Sequence, residues 1–142
     1  MTRILKAAGT YFGLVFGVGF ILGPIRILFI VPRFGVRIAE LMEAPIMLMV
    51  MVFAAKWVVQ RFNLARAALP VGLVALGFML VFEFAVVMRM RGITLAEYFH
   101  ERDPVSGTVY YVLLVLFALM PLLFHSAHRW YKPGPRTSAS LR

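Results

Sequence analysis

The chain of 142 residues contains no cysteine, and it has only six carboxylate side chains against 15 lysines and arginines. The absence of cysteine excludes disulfides, thiolate nucleophiles and cysteine-based metal sites. Polar sequence is also scarce, because 62% of the residues are apolar and the mean hydropathy is +0.88. Ordinary globular domains are only about 45–50% apolar. The composition therefore leaves little room for a soluble catalytic module and indicates a single membrane domain, residues 1–131.

Four apolar stretches are each close to the length of about 20 residues that a transmembrane helix needs. They cover residues 7–31, 39–57, 69–87 and 108–124. We therefore predict an all-α integral membrane protein with a bundle of four transmembrane helices. The first stretch is longer than the apolar region of a signal peptide, about 7–15 residues, so we expect it to be retained. Residues 132–142 are expected to form a disordered cytoplasmic tail.

The six acids all fall on one side of the membrane that these four spans imply. The opposite side carries nine cations and no acid: Arg3, Lys6, Lys56, Arg61, Arg66, Arg129, Lys132, Arg136 and Arg142. Under the positive-inside rule the acid-free side is cytoplasmic. We therefore expect a multi-pass protein of the cytoplasmic (inner) membrane, with both termini in the cytoplasm. The isoelectric point near 10.9 does not indicate nucleic-acid binding, because the cations lie at span ends.

Two segments are expected on the outer side. Pro32-Arg33-Phe34-Gly35 is short enough to force the first two helices into an antiparallel hairpin. Further on, Thr94 and Glu97 have the spacing of a capping box, which predicts a short amphipathic helix at about residues 94–103. We expect this helix to lie on the outer membrane surface and to stop at Asp103-Pro104.

The first span carries a stripe of glycines, and small residues at a four-residue spacing allow helix backbones to approach closely in lipid. The stripe consists of Gly9, Gly13 and Gly17, with Gly19 and Gly23 as a second, offset pair. It could pack within the chain or form the seam of a homo-oligomer. Pro24 removes a backbone donor just before Arg26, so we expect a kink there.

Two glutamates are expected at one depth inside the membrane. Glu43 lies 14 residues before Trp57, and Glu83 lies 14 residues after Leu69. At 1.5 Å per residue, both are about 21 Å from the inner boundary. A hydrocarbon core of about 30 Å then leaves them roughly 9 Å below the outer surface. Because an ionised carboxylate facing lipid is costly, we expect both to face the bundle interior.

The candidate site is therefore an intramembrane cluster of charged side chains: Glu43, Glu83, Arg26, Arg37 and Glu40. One interpretation is structural, with arginines pairing the carboxylates to hold the helices in register. The other makes Glu43 and Glu83 a proton- or cation-binding pair. Arg26 could join the cluster or snorkel to the headgroups, and Glu40 is expected at the interface, bonded to Arg37.

No catalytic, metal or cofactor site is expected from the remaining polar residues. His125 and His128 lie one helical turn apart, but no acid on that side completes a metal site. Ser106, Asp103 and His100 share one loop, without the nucleophile elbow or oxyanion hole of a hydrolase.

Three functions remain open, and we rank them by what the sequence offers. A non-enzymatic accessory or assembly subunit comes first, since glycine stripes are abundant and no cofactor motif or internal repeat is present. An oligomeric transporter or channel protomer using the charged cluster comes second. An intramembrane enzyme acting on a lipid or isoprenoid head group comes third. The expected partners are the lipid bilayer and a homo-oligomer or larger membrane complex.

Overall fold

The computed structural model describes residues 1–64, 67–92, 94–100 and 103–130, and within these residues the chain is helical, without strands. The elements are α1 (Thr2–Ile25), a π-helix (Arg26–Ile30), α2 (Val31–Phe62), α3 (Ala68–Arg91), α4 (Leu95–His100) and α5 (Pro104–Trp130). The expected disordered tail, residues 132–142, lies outside the described residues. The all-α fold that the sequence predicts is therefore found throughout the described part of the chain.

Three helical stretches in the described residues are long and apolar enough to cross a membrane: Thr2–Phe62, Ala68–Val86 and Pro104–Ser126. Four had been expected from the sequence, and the difference lies in the first stretch. The helical hydrogen-bond pattern covers these 61 residues, but within Pro32-Arg33-Phe34-Gly35 the last residue has non-helical backbone angles and separates two helices at a kink. The expected spans 7–31 and 39–57 are thus joined into one stretch.

The long first stretch nevertheless reverses direction at Gly35. This residue has φ 81° and ψ 165°, a non-helical conformation that glycine adopts without steric cost. On either side of it, the arms α1 and α2 pack against each other in antiparallel order. Arg3 donates a hydrogen bond to the carbonyl of Phe62 at one end, and Arg26 bonds Glu43 near the other.

A π-helix begins two residues after Pro24, where the sequence predicts a kink. Pro24 cannot donate a backbone hydrogen bond. Two residues later the hydrogen-bond spacing widens, so that the N–H of Val31 donates to the carbonyl of Arg26. Such π turns insert one extra residue into a helix and are frequent at functional sites.

The four long helices form a closed ring in the order α1, α2, α5, α3, since each of them packs on the next. The diagonal between α1 and α5 is bridged by Tyr11 and Phe117. Their rings are stacked with centroids 4.5 Å apart, and the Tyr11 hydroxyl donates to the Phe117 carbonyl at 3.0 Å. Both side chains are fully buried. This pair fills the centre of the bundle in the half where α1 begins.

The helices α3 and α5 approach each other closely at Gly72. A Cβ atom at this position would overlap the carbonyl oxygen of Ala118. Only glycine therefore permits the observed distance between the two backbones.

The segment before α5 differs in part from the expectation. The capping box is present, with the Thr94 N–H donating to the Glu97 carboxylate at 2.7 Å. The short helix α4 covers Leu95–His100, inside the expected range of 94–103. By contrast, Asp103-Pro104 was expected only to end a helix, but it also starts the next one. The helix α5 begins at Pro104, four residues before the expected start of the last span at residue 108. It begins there because Asp103 accepts hydrogen bonds from the N–H groups of Val105 and Ser106.

Candidate functional site

A cavity of about 490 Å³ lies between the four long helices, in the half of the bundle that contains Gly35 and Asp103. We call the end marked by these two residues the acidic end. The volume is within the usual range of small-molecule pockets, about 300–1,000 Å³. Most of the wall is apolar, and the polar lining residues are Arg26, Glu40, Glu43, Glu83, Ser106 and Tyr110. The cavity therefore has one charged region within an otherwise hydrophobic surface.

Arg26 and Glu43 form the central ion pair of this region. Arg26 Nη1 donates to Glu43 Oε2 at 2.7 Å, and the two side chains are 29% and 15% exposed. Arg26 is the first residue of the π-helix, and Glu43 lies on α2 just before Pro45. Glu40 lies one turn before Glu43, with its carboxylate 4.0 Å from the same nitrogen. The Arg26 guanidinium therefore lies within ion-pair distance of two carboxylates on α2, those of Glu40 and Glu43.

Glu83 reaches the same cavity from α3. Its side chain is half-buried, like those of Glu40 and Glu43. Glu43 and Glu83 both line this cavity, and their equal membrane depth stays a prediction from the sequence. Three helical segments therefore contribute charged groups to the lining of one cavity: the π-helix, α2 and α3.

Arg37 does not belong to this group. Its guanidinium donates to Asp103 Oδ1 from Nη2 at 2.6 Å and from Nε at 3.0 Å. The expected bond between Arg37 and Glu40 is therefore replaced by a contact with a residue 66 positions away. The Arg37 guanidinium holds the pKa of the Asp103 carboxyl well below its usual range, and the N–H of Ser106 adds to this shift.

Sequence reasoning did not identify Ser106 or Tyr110 as lining residues. Ser106 is only 2% exposed, and its hydroxyl donates to Asp103 Oδ2 at 3.3 Å. Tyr110 lies one turn further along α5, with its hydroxyl oxygen buried. The pattern Asp-Pro-x-Ser was the available signal, since aspartate at the N-cap followed by proline is typical of a helix start. With that start, Ser106 and Tyr110 fall on one helical face.

The predicted packing glycines differ in their surroundings. A Cβ at Gly19 would lie 3.4 Å from Met47 Cε, in ordinary contact range. At Gly9, Gly13, Gly17 and Gly23 a Cβ would meet no other atom within 4 Å. Within the described residues, no neighbouring helix therefore approaches closely at these four glycines. The close approach instead occurs at Gly72, outside the predicted stripe.

Comparisons with known proteins provide no assignment, because no protein-family model, curated protein or solved structure matches this chain. Among the described residues, no group of three or more histidine, aspartate or glutamate side chains is arranged to hold a metal ion. A function can therefore be inferred only from the cavity lining itself, which is mostly apolar and includes Arg26, Glu40, Glu43 and Glu83.

Proposed function

We propose that the chain is a transporter or channel protomer that crosses the membrane four times and receives its ligand in the cavity. The arms α1 and α2 each span the bilayer in this proposal, with the reversal at Gly35 on the outer side. The antiparallel contacts at Arg3 and Arg26 support two crossings within the first helical stretch. The charge asymmetry supports both termini in the cytoplasm and insertion in the inner membrane.

The proposal depends mainly on one observation: the side chains of Arg26, Glu43 and Glu83 all line the same cavity. Charged groups at membrane depth are costly, and they typically mark ion or substrate pathways. A subunit that acts only through helix packing would be equally well served by an apolar interior. The transporter, ranked second from the sequence, is therefore the better account of these side chains. An enzyme would additionally need a reacting group at the cluster.

Flux measurements in proteoliposomes test this function. Purified protein is reconstituted with a trapped pH-sensitive dye for protons or a trapped cation-sensitive dye for cations. The flux is followed for wild type, Glu43→Gln and Glu83→Gln. Loss of one charge-assisted contact of about 1.5–3 kcal/mol corresponds to a decrease of about tenfold or more. Glu97→Gln is the matched control, because Glu97 is exposed on α4 and outside the cavity.

The expected result is flux that Glu43→Gln and Glu83→Gln reduce and Glu97→Gln leaves unchanged. Absence of wild-type flux for protons and common cations contradicts the transporter. Equal flux in all four proteins contradicts the role of the glutamates.

An accessory or assembly subunit is the second candidate, and the open surface over Gly9, Gly13 and Gly17 favours it. A second helix could approach the α1 backbone at this stripe, as in membrane dimers. Gly13→Leu should then dissociate an oligomer, whereas Gly77→Leu should not, although both positions are open and exposed. The mass of the detergent-solubilised protein is the measurement, and a monomeric wild type contradicts this role.

A further inference from the structure

We propose, building on the transporter function, that the cavity binds a hydrophobic ammonium ion. Its alkyl chain lies between the helices, and its charged head lies at the acidic end beside Glu40 and Glu43. The inference concerns the class of ligand, and it follows from the shape of the cavity, the side chains of its wall and the balance of its charges.

The cavity is closed at one end and charged at the other. Val15 and Phe117, both fully buried, form its floor, and the stacked ring of Tyr11 lies next to Phe117. Along the first arm the lining extends from Val15 to Ile27, about 18 Å at 1.5 Å per residue. Ile27, at the far end of this stretch, is exposed and lies at the rim. This shape matches an elongated molecule with one polar head.

The wall between floor and rim is flexible and hydrophobic. Met47, Met51 and Met79 contribute to it from α2 and α3, together with Phe16 and Phe20 of α1. Methionine is unbranched and polarizable, so it adapts to ligands of irregular shape. An alkyl chain buried here is stabilised by about 0.8 kcal/mol for each methylene removed from water. The wall therefore favours a hydrocarbon chain.

The charged end selects the sign of the head group. At this end Glu40 and Glu43 present two carboxylates to the single guanidinium of Arg26, so these two acids exceed their shared cation by one charge. Arg26 is already bonded to Glu43 at 2.7 Å and lies 4.0 Å from Glu40. A phosphate or carboxylate head would be repelled by these acids, whereas a cation offsets their charge.

An organic cation fits this end better than a bare metal ion. The described residues hold no group of three metal-binding side chains, so a dehydrated divalent ion would lack ligands. An ammonium head needs no such coordination sphere. It retains its charge while the attached chain supplies the binding energy of the apolar wall.

Equilibrium dialysis against protein in lipid nanodiscs tests the inference. The probe is radiolabelled dodecyltrimethylammonium, with dodecyl phosphate and dodecanol as chain-matched anionic and neutral compounds. Empty nanodiscs correct for partition into lipid. Met47→Trp fills the cavity, and Met49→Trp is its matched control, because Met49 lies two residues away on the same helix and is 61% exposed.

We expect saturable binding of the cation, weakened about tenfold or more by Met47→Trp and unaffected by Met49→Trp. Glu83→Gln should weaken binding of the cation without increasing that of dodecyl phosphate. Leu113→Trp, which narrows the same cavity from α5, replaces Met47→Trp if that variant does not fold.

The outcomes separate the ligand class from the proposed function. Saturable binding of dodecyl phosphate or dodecanol in place of the cation overturns the ligand class and leaves a binding cavity. No saturable binding of any probe overturns the inference, and the flux assay then decides whether the transporter function stands. Binding of the cation that Met47→Trp and Leu113→Trp both leave intact also overturns it, since the cavity is then not the site.

Discussion

Arg37 and Asp103 join two helices that are far apart in sequence. The guanidinium on α2 donates to Asp103 at 2.6–3.1 Å, and Asp103 Oδ2 accepts the N–H groups of Val105 and Ser106. The same carboxylate therefore caps α5 and ties it to α2. Because Ser106 lines the cavity, this contact fixes the position of one wall at the acidic end.

Acid should destabilise the protein partly through Asp103. Its pKa is lowered by Arg37, so the carboxylate contributes stability above the unfolded pKa of about 3.9. That contribution is lost as the pH falls through the still lower folded pKa. Asp103→Asn keeps a good helix cap but removes the charge. We expect a lower Tm at pH 7 and a smaller decrease of Tm between pH 5 and pH 3.

Glu97 should keep part of the decrease of Tm with falling pH in the Asp103→Asn variant. Its pKa is also lowered, by the backbone N–H and then the hydroxyl of Thr94, so it keeps part of the acid sensitivity. Glu97→Gln in the Asp103→Asn background should therefore flatten the response further. Equal acid sensitivity of wild type and Asp103→Asn would show that the ion pair contributes nothing.

Gly72 should be the glycine least tolerant of substitution. Gly72→Ala forces α3 away from the Ala118 carbonyl, and such overpacking costs about 1–3 kcal/mol. Gly77→Ala is the control on the same helix, where a Cβ has open space. It should be neutral or gain up to about 1 kcal/mol from helix propensity. Chemical unfolding in mixed micelles measures both, and equal stability of the two variants contradicts the close contact.

Arg26 and Glu43 should show energetic coupling. Arg26→Met leaves the largely buried Glu43 carboxylate without its bonded guanidinium, at a cost of about 1–3 kcal/mol. Adding Glu43→Gln removes the unpaired charge and should restore part of the lost stability. A double-mutant cycle of unfolding free energies gives the coupling. If the two single changes simply add, the ion pair has no structural importance.

The absence of cysteine makes the topology directly measurable, because every introduced cysteine is the only one in the chain. With four crossings, Phe34→Cys and Glu97→Cys face the outside, and Asn63→Cys faces the cytoplasm. A membrane-impermeant maleimide applied to intact spheroplasts should label the first two only. Labelling of Asn63→Cys before lysis, or protection of Phe34→Cys, contradicts four crossings.

Helical periodicity could be predicted from the sequence because it depends on local composition. Spacing along the second and third spans predicted one membrane depth for Glu43 and Glu83; both residues line one cavity, and the depth itself stays a prediction. Pro24 indicated a kink, since a missing backbone donor is visible in the sequence. Whether it would produce a π-helix depends on packing against α2, which no local pattern contains.

Lateral arrangement was the part that the sequence did not determine. Arg37 was expected to bond Glu40, because the two residues are neighbours on one helix. Its partner is instead Asp103, which directly precedes α5. The glycine stripe of α1 likewise identified small residues without identifying what faces them. Gly72 lacks a repeated spacing, yet it is the glycine on which two backbones meet. Such contacts depend on the order of helices around the bundle.

Reagent access to the cavity is the most direct measurement of the central claim, that this chain holds a ligand cavity reached from the acidic end. Met47→Cys places a thiol in the wall and Met49→Cys places one on the exposed side of α2. A charged methanethiosulfonate, which reacts with the thiolate, is applied from outside to protein in membranes. We predict that Met47→Cys is modified, that dodecyltrimethylammonium protects it, and that Met49→Cys, which faces lipid in the proposed orientation, is not modified. Modification of Met49→Cys but not Met47→Cys, or no protection by the ammonium compound, would contradict the account.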